Sequence, residues 1–283
     1  MNPRLTWRKL VNAFMLTLTG LCALLSVSVL VVVLGYLGWN GWQYLTWTFL
    51  THLPAPVGET GGGMANAIVG SGKLLLIAAL TGIPTGLLGG IYLAEFGGKT
   101  FTFLVRYTAD LLNGVPSIVM GIFAYTLVVL PMHHFSALAG GLALGVMLIP
   151  IVLRSTEDFL RAVPMPLREG ALALGASKWK AIATVVIPAS MRAIATGALL
   201  GLARVAGETA PLLFTSFNNQ FWSHGLNQPT ASLPVMIYEY AISPYTDWHR
   251  QAWAAGFILL MLVLVANIGA RLILSRRSPA LRG

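Results

Sequence analysis

Residues 164–188 read PMPLREGALALGASKWKAIATVVIP. Ala, Leu and Glu favour a helix, and Pro166 suits a first helical turn, where its missing N–H removes no bond. Gly175 stands where a left-handed residue ends such a helix, and Ser177 can cap a second helix beginning immediately after. The stretch predicts a helix, a tight corner and a second helix. Basic residues surround it at Arg154, Arg161, Arg168, Lys178, Lys180 and Arg192. By physics alone such a corner either rests on a membrane surface as an amphipathic connector or protrudes into a groove of a soluble partner.

On both sides of this stretch the chain turns apolar. Of its 283 residues 56% are hydrophobic and 10% charged, against about 25% charged in soluble domains, so lipid is the expected solvent. The net charge of +9 does not indicate nucleic acid, because the basic residues fall in short groups between apolar runs instead of on one solvated face. The one cysteine, Cys22, lies inside an apolar run and forms no intrachain disulfide.

A spanning helix needs about 20 mostly apolar residues. The first candidate is 11–37, followed by the aromatic belt Trp39, Trp42, Tyr44 and Trp47. It is too long for a signal-peptide core and no A-x-A-like site follows, so it reads as an anchor. The second is 74–94. Residues 111–153 hold no Asp, Glu, Lys or Arg and provide two spans folded about Pro131-Met132-His133-His134. The fifth runs over 193–214, interrupted by Arg204 and Glu208, and the sixth over 251–270. The fold class expected is an all-α polytopic membrane protein with six transmembrane helices. With the N-terminus inside, 15 of the 18 Lys and Arg residues fall on the inner side, leaving Lys73, Arg204 and Arg250. Both termini are then cytoplasmic. The expected organisation is an anchor helix and external segment at 1–60, a permease core at 61–275 and a basic tail at 276–283.

Arg204 and Glu208 are four residues apart, which on a continuous helix places them on one face, where mutual pairing lowers the cost of ionisable groups in the membrane. Pro84 with Gly82, Gly86, Gly89 and Gly90 reads as close helix packing through small residues. Gly70-Ser71-Gly72-Lys73 is not a nucleotide loop: Ala67 stands where a P-loop needs its first Gly, and Leu74 where it needs Ser or Thr. Adjacent His133 and His134 lack metal-site spacing, so no metal is expected. Glu157 and Asp158 read as a solvated loop face, and the aromatic segment 215–250 mainly as interfacial anchoring, with a further part in meeting a substrate-binding protein.

The 164–188 stretch resembles the EAA loop of ABC importer permeases, of the type I, MetI-like kind. Glu169, Ala171, Gly175 and Pro188 fall at that pattern's positions, Val185 and Ile187 are conservative replacements, and Gly170 departs from the first alanine. Gly61-Gly-Gly63-Met-Ala-Asn66-Ala, Gly90-Ile-Tyr92-Leu-Ala-Glu95, Pro116-Ser117-Ile-Val, the run Ala203 to Thr215 and Asn219-Gln220-Phe-Trp222 resemble the PstA family of phosphate permeases. The likeness extends from about Gly61 to the last span. It implies a type I ABC importer permease fold and import of inorganic phosphate, with no enzymatic activity in this chain. The implied partners are a PstC-like second permease subunit, two copies of a PstB-like ATP-binding subunit holding ATP and Mg, and an external PstS-like phosphate-binding protein. Glu169, Gly170, Ala171 and Gly175 would form the coupling helix that docks on the ATPase. Arg204, Glu208, Thr209 and Ser117 would lie along the pathway, where Arg204 either pairs structurally with Glu208 or gives positive potential to a passing phosphate. A permease for another oxyanion or polar solute would carry the same coupling loop; the span-five run argues for phosphate. A secondary transporter would bring internal repeats, and none is found.

Overall fold

The computed structural model describes residues 3–276 except Val57 and Thr60; of the expected basic tail, residues 277–283, with Arg277 and Arg282, lie outside the described residues. The apolar runs form helices: α1 (Pro3–Gln43), α2 (Trp47–Thr51), α3 (Ala65–Glu95), α4 (Lys99–Gly114), α5 (Ser117–Met132), α6 (Ala137–Arg161), α7 (Met165–Ala173), α8 (Lys178–Ala206), α9 (Ala210–Thr215), α10 (Leu233–Ala241) and α11 (Thr246–Arg276). Five of them are long and apolar enough to cross a membrane, and α4 with α5, bent by 104°, provides a sixth crossing if the pair is one span. Two single π-turns, Tyr125–Val129 in α5 and Ile182–Val186 in α8, lie within otherwise α-helical stretches.

Glycine sets the centre of the bundle. A Cβ on Gly82 would lie 2.8 Å from the Gly145 carbonyl, on Gly86 2.8 Å from that of Ile149, and on Gly90 2.7 Å from that of Leu153. From the other side Gly141 receives Ile77 and Gly145 receives Thr81. These two rows let the α3 and α6 backbones approach closely, as small residues do in membrane helix pairs. Contacts advance together along both helices, so α3 and α6 run parallel. The chain between them must therefore cross back once, which makes α4–α5 the third span and supports the six-span count.

Leu74, Ala78, Leu144, Leu148 and Val152 form the middle of the core with Ala198 and Val205 of α8. The expected turn at 131–134 is present, with His133 left-handed at φ 59° between α5 and α6. Gly70 to Lys73 lies inside α3: Gly70 meets the Ala231 carbonyl, Ser71 Oγ accepts the Leu233 N–H at 2.8 Å, and Lys73 Nζ donates to the Ser223 carbonyl at 2.5 Å.

The segment 215–250 departs from its expected role. Phe217, Phe221 and Trp222 are exposed as interfacial side chains should be, but Thr230, Ala231, Ser232 and Leu233 are fully buried against the start of α3. The loop re-enters the bundle and helps to close that end. α10 follows, where half-buried Glu239 accepts from Asn218 Nδ2 at 2.6 Å, and burial still holds its carboxyl above the usual range. Tyr240, stacked on Trp248 at 4.3 Å, is pushed up to about 12 by burial, with the Glu239 and Asp247 charges adding to it.

α1 stands apart. Its apolar window is wholly exposed, and it meets the body near its C-terminal end, where Tyr36 packs edge-on to Trp253 at 5.3 Å and Gly41 admits Phe257.

Candidate translocation cavity and coupling corner

A polar cavity of about 300 Å³ opens at the break between α4 and α5. Pro116 causes the break: it holds φ at −56° and bars Val115 from helical geometry, leaving that residue extended at φ −68° and ψ 132°. Asn113, Ser117 and the backbone between them line one side, Met147 and Ile151 of α6 another, and Arg204, Val205 and Glu208 close it. The cavity thus gathers Ser117 with Arg204 and Glu208 from two distant parts of the chain. The N-terminal end of α5, whose dipole favours an anion, opens onto the same space.

One expectation fails here. α8 ends at Ala206 with Gly207 as its cap, so Glu208 lies beyond the helix and not on the face of Arg204. Among the described residues no ion pair joins the two. Arg204 instead occupies the last helical turn, where a cation suits the C-terminal dipole. Arg204 is exposed and Glu208 half-buried, and both line the cavity. The fifth span correspondingly begins earlier than 193 and stops short of 214. Thr209 does not line the cavity; it heads α9, with its carbonyl accepting the N–H groups of Leu212 and Leu213 at 3.1 and 3.2 Å. Asn113 was not singled out from sequence, although Asn113-Gly114 is a turn-marking dipeptide.

Next to the cavity along α6 lies an ionic cluster, and it overturns the solvated reading of Glu157. That side chain is fully buried and holds three arginines: Arg106 of α4 through Nε at 2.8 Å and through Nη2, Arg154 at 3.3 Å and Arg161 at 3.2 Å. Arg154 also reaches Asp110 at 3.1 Å. A carboxylate without water needs such a set of cations, and the cluster ties α4 to α6 just beyond Ile151.

The corner forms as its residues predict. Pro166 lies in the first turn of α7, the Gly175 N–H bonds to the Leu172 carbonyl at 2.9 Å, and the Ala176 N–H to that of Ala171 at 3.2 Å. This pair of bonds is a Schellman motif, with Gly175 left-handed at φ 81°. Ser177 Oγ accepts the Lys180 N–H at the head of α8. α7 buries none of its residues; Glu169, Gly170 and Gly175 are exposed, Ala171 is half-buried, and Leu174 at the tip is 90% exposed. A Cβ on Gly170 would meet nothing within 4 Å, so the departure from alanine there leaves the corner unchanged.

Residues 86–279 match the family model described as binding-protein-dependent transport system inner membrane component. The fold is similar to that of an inward-facing MetNI methionine ABC transporter, with a TM-score of 0.58 at 16% identity, covering 76% of this chain and 94% of that one. These findings define the class: a multi-pass membrane permease of an ABC importer. The phosphate transport system permease protein PstA of Yersinia pestis is 45% identical over 96% of this chain and 92% of its own length. That of Haemophilus influenzae is 44% identical over 96% of each. The chain belongs to the PstA family of phosphate transport system permeases. As in that family, it is not an enzyme: ATP hydrolysis belongs to a separate partner subunit, and the chain resides in the inner membrane.

Proposed function

We propose that this chain forms, with a PstC-like second permease, the pathway of an ATP-driven importer of inorganic phosphate. A PstS-like binding protein delivers phosphate from outside, and two PstB-like subunits bind ATP and Mg on the inner side. Both termini and the α7 corner face the cytoplasm, in keeping with the basic residues gathered at that end. Glu169, Gly170, Ala171 and Gly175 form the surface that docks on the ATPase; the exposed corner with its apolar tip supports this.

The observation that carries the reading is the cavity where Arg204 meets Asn113, Ser117 and Glu208. A guanidinium fork suits phosphate oxygens, and hydroxyl and amide donors beside it suit a hydrated or partly dehydrated oxyanion. Glu208 limits how tightly an anion is held, and conduction requires release as well as binding. Thr209 lies next to this wall in sequence and acts through its backbone, by starting α9.

The test is uptake of radiolabelled phosphate at micromolar concentration in cells lacking the chain, with and without its restoration, and with excess sulfate as competitor. Restored uptake that sulfate does not block supports phosphate. Arg204→Gln removes a charge-assisted bond of about 1.5–3 kcal/mol, so uptake should fall roughly tenfold to a hundredfold. Wild-type uptake by that variant at normal abundance would remove Arg204 from the pathway.

A further inference from the structure

Glu95 ends both α3 and the Gly90-Ile-Tyr92-Leu-Ala-Glu95 motif, which neither the cavity nor the corner accounts for. Its side chain is only 6% exposed. A carboxylate at a helix C-terminus opposes the helix dipole, and burying it is costly unless cations meet it. Two do. Arg168 of α7 forms an ion pair with Glu95 through Nη1. Lys178, the first residue of α8, donates to the Glu95 carbonyl at 2.5 Å while lying 4.7 Å over the Phe96 ring.

Arg168 makes a second bond, from Nη2 to the Leu160 carbonyl at 2.6 Å. One planar guanidinium therefore joins the end of α3, the end of α6 and the corner helix. Because α7 buries none of its own residues, this fork is its polar tether to the transmembrane helices. α3 and α6 are in turn locked by the glycine rows, and α6 carries Met147 and Ile151 to the cavity wall.

We propose that Arg168 and Glu95 are a positioning pair that passes movement of the corner helix to the α3–α6 unit and so to the cavity. Force applied to α7 reaches both helix ends through one rigid fork, so they move together. Lysine carries its donors on one nitrogen at the end of a flexible stem, so it lacks the rigid planar fork that holds Glu95 with Nη1 and the Leu160 carbonyl with Nη2. The proposal rests on the reading of α7 as the ATPase docking site.

The experiment uses the complete complex in proteoliposomes, with phosphate uptake and ATP hydrolysis followed together. Glu95→Gln and Arg168→Lys should bind the ATPase and keep hydrolysing ATP, while phosphate moved per ATP falls about tenfold, as loss of one charge-assisted bond implies. A pair that merely stabilised the fold would lower uptake and hydrolysis in proportion. Arg168→Lys keeps the charge and the helix, so it carries the test if Glu95→Gln fails to accumulate. An unchanged phosphate-to-ATP ratio, or a proportional fall in both activities, overturns the proposal. Leu174→Cys in an otherwise wild-type chain tests the docking reading separately. Absence of any crosslink to the ATPase overturns docking and the proposal together; a crosslink with an unchanged ratio in Arg168→Lys overturns only the positioning pair.

Discussion

Gly86 and Gly72 stand in the same helix and differ only in what a side chain would meet. A Cβ on Gly72 meets nothing within 4 Å, whereas one on Gly86 lies 2.8 Å from the Ile149 carbonyl and 2.7 Å from Val152 Cβ. Backbone cannot rotate aside, so Gly86→Ala must part α3 from α6 by the difference between 2.8 Å and the 3.4 Å of ordinary contact. A gap of about that size forfeits roughly a quarter of the dispersion energy of the atoms it separates. Replacing Gly by Ala also favours the helix by roughly 1 kcal/mol, but this gain is common to both variants and cancels between them. Their difference is then the overpacking cost, about 1–3 kcal/mol. At about 2–4 °C per kcal/mol, Gly86→Ala should melt several degrees below Gly72→Ala. Tryptophan fluorescence of the two purified variants in the same nanodiscs measures this. Equal melting temperatures, or a higher one for Gly86→Ala, would refute the seam as the element that fixes the α3–α6 spacing.

Other outcomes follow from single residues. Glu157→Gln leaves arginines around a buried neutral amide; because those arginines are about a third to a half exposed, the loss should be about 2 kcal/mol, below the 3–5 kcal/mol of fully buried pairs. Unchanged thermal stability would refute the cluster's role. Gly175→Ala forces a left-handed alanine at a cost of roughly 1 kcal/mol, so titration of the ATPase onto the permease should show affinity lowered about fivefold. Full affinity would show that the corner's geometry is not what docks. Burial raises the Glu239 pKa, so this group favours the folded state while protonated and loses that contribution as pH rises through the raised value. Glu239→Gln can still accept from Asn218 and never ionises. Its melting temperature relative to wild type should therefore climb between pH 4 and pH 8; a flat difference would contradict the assignment.

The corner was legible in the sequence because its signals are local. Pro166, Gly175 and Ser177 each act within a few residues, and each acts where its position foretells. The small-residue row at Gly82, Gly86 and Gly90 likewise announces close packing, though not its partner. The pathway was only partly legible. Arg204 and Glu208 look like a helical pair only if the helix continues, and Gly207 stops it; the Gly and the nearby Pro211 were the available signals. Glu157 escaped for the opposite reason. Two of its partners are close in sequence, but Arg106 lies 51 residues away, and the burial that makes the cluster necessary is a property of the packed bundle. The same holds for Thr230 to Leu233, whose polar, proline-flanked run looks like an outer loop until α3 is seen to receive it.

The loosely held α1 has a consequence at the scale of the bilayer. Its uninterrupted apolar stretch, 11–37, is about 40 Å long at 1.5 Å per residue, against a hydrocarbon thickness of about 30 Å. A straight rod of that length fits only by leaning about 40° from the membrane normal, at the steep end of the range for such helices. Because contact with α11 lies near one end, the lean is set by the lipid more than by the protein. A thinner membrane would rake the rod over further and swing its basic foot, with Arg4, Arg8 and Lys9, sideways across the headgroups.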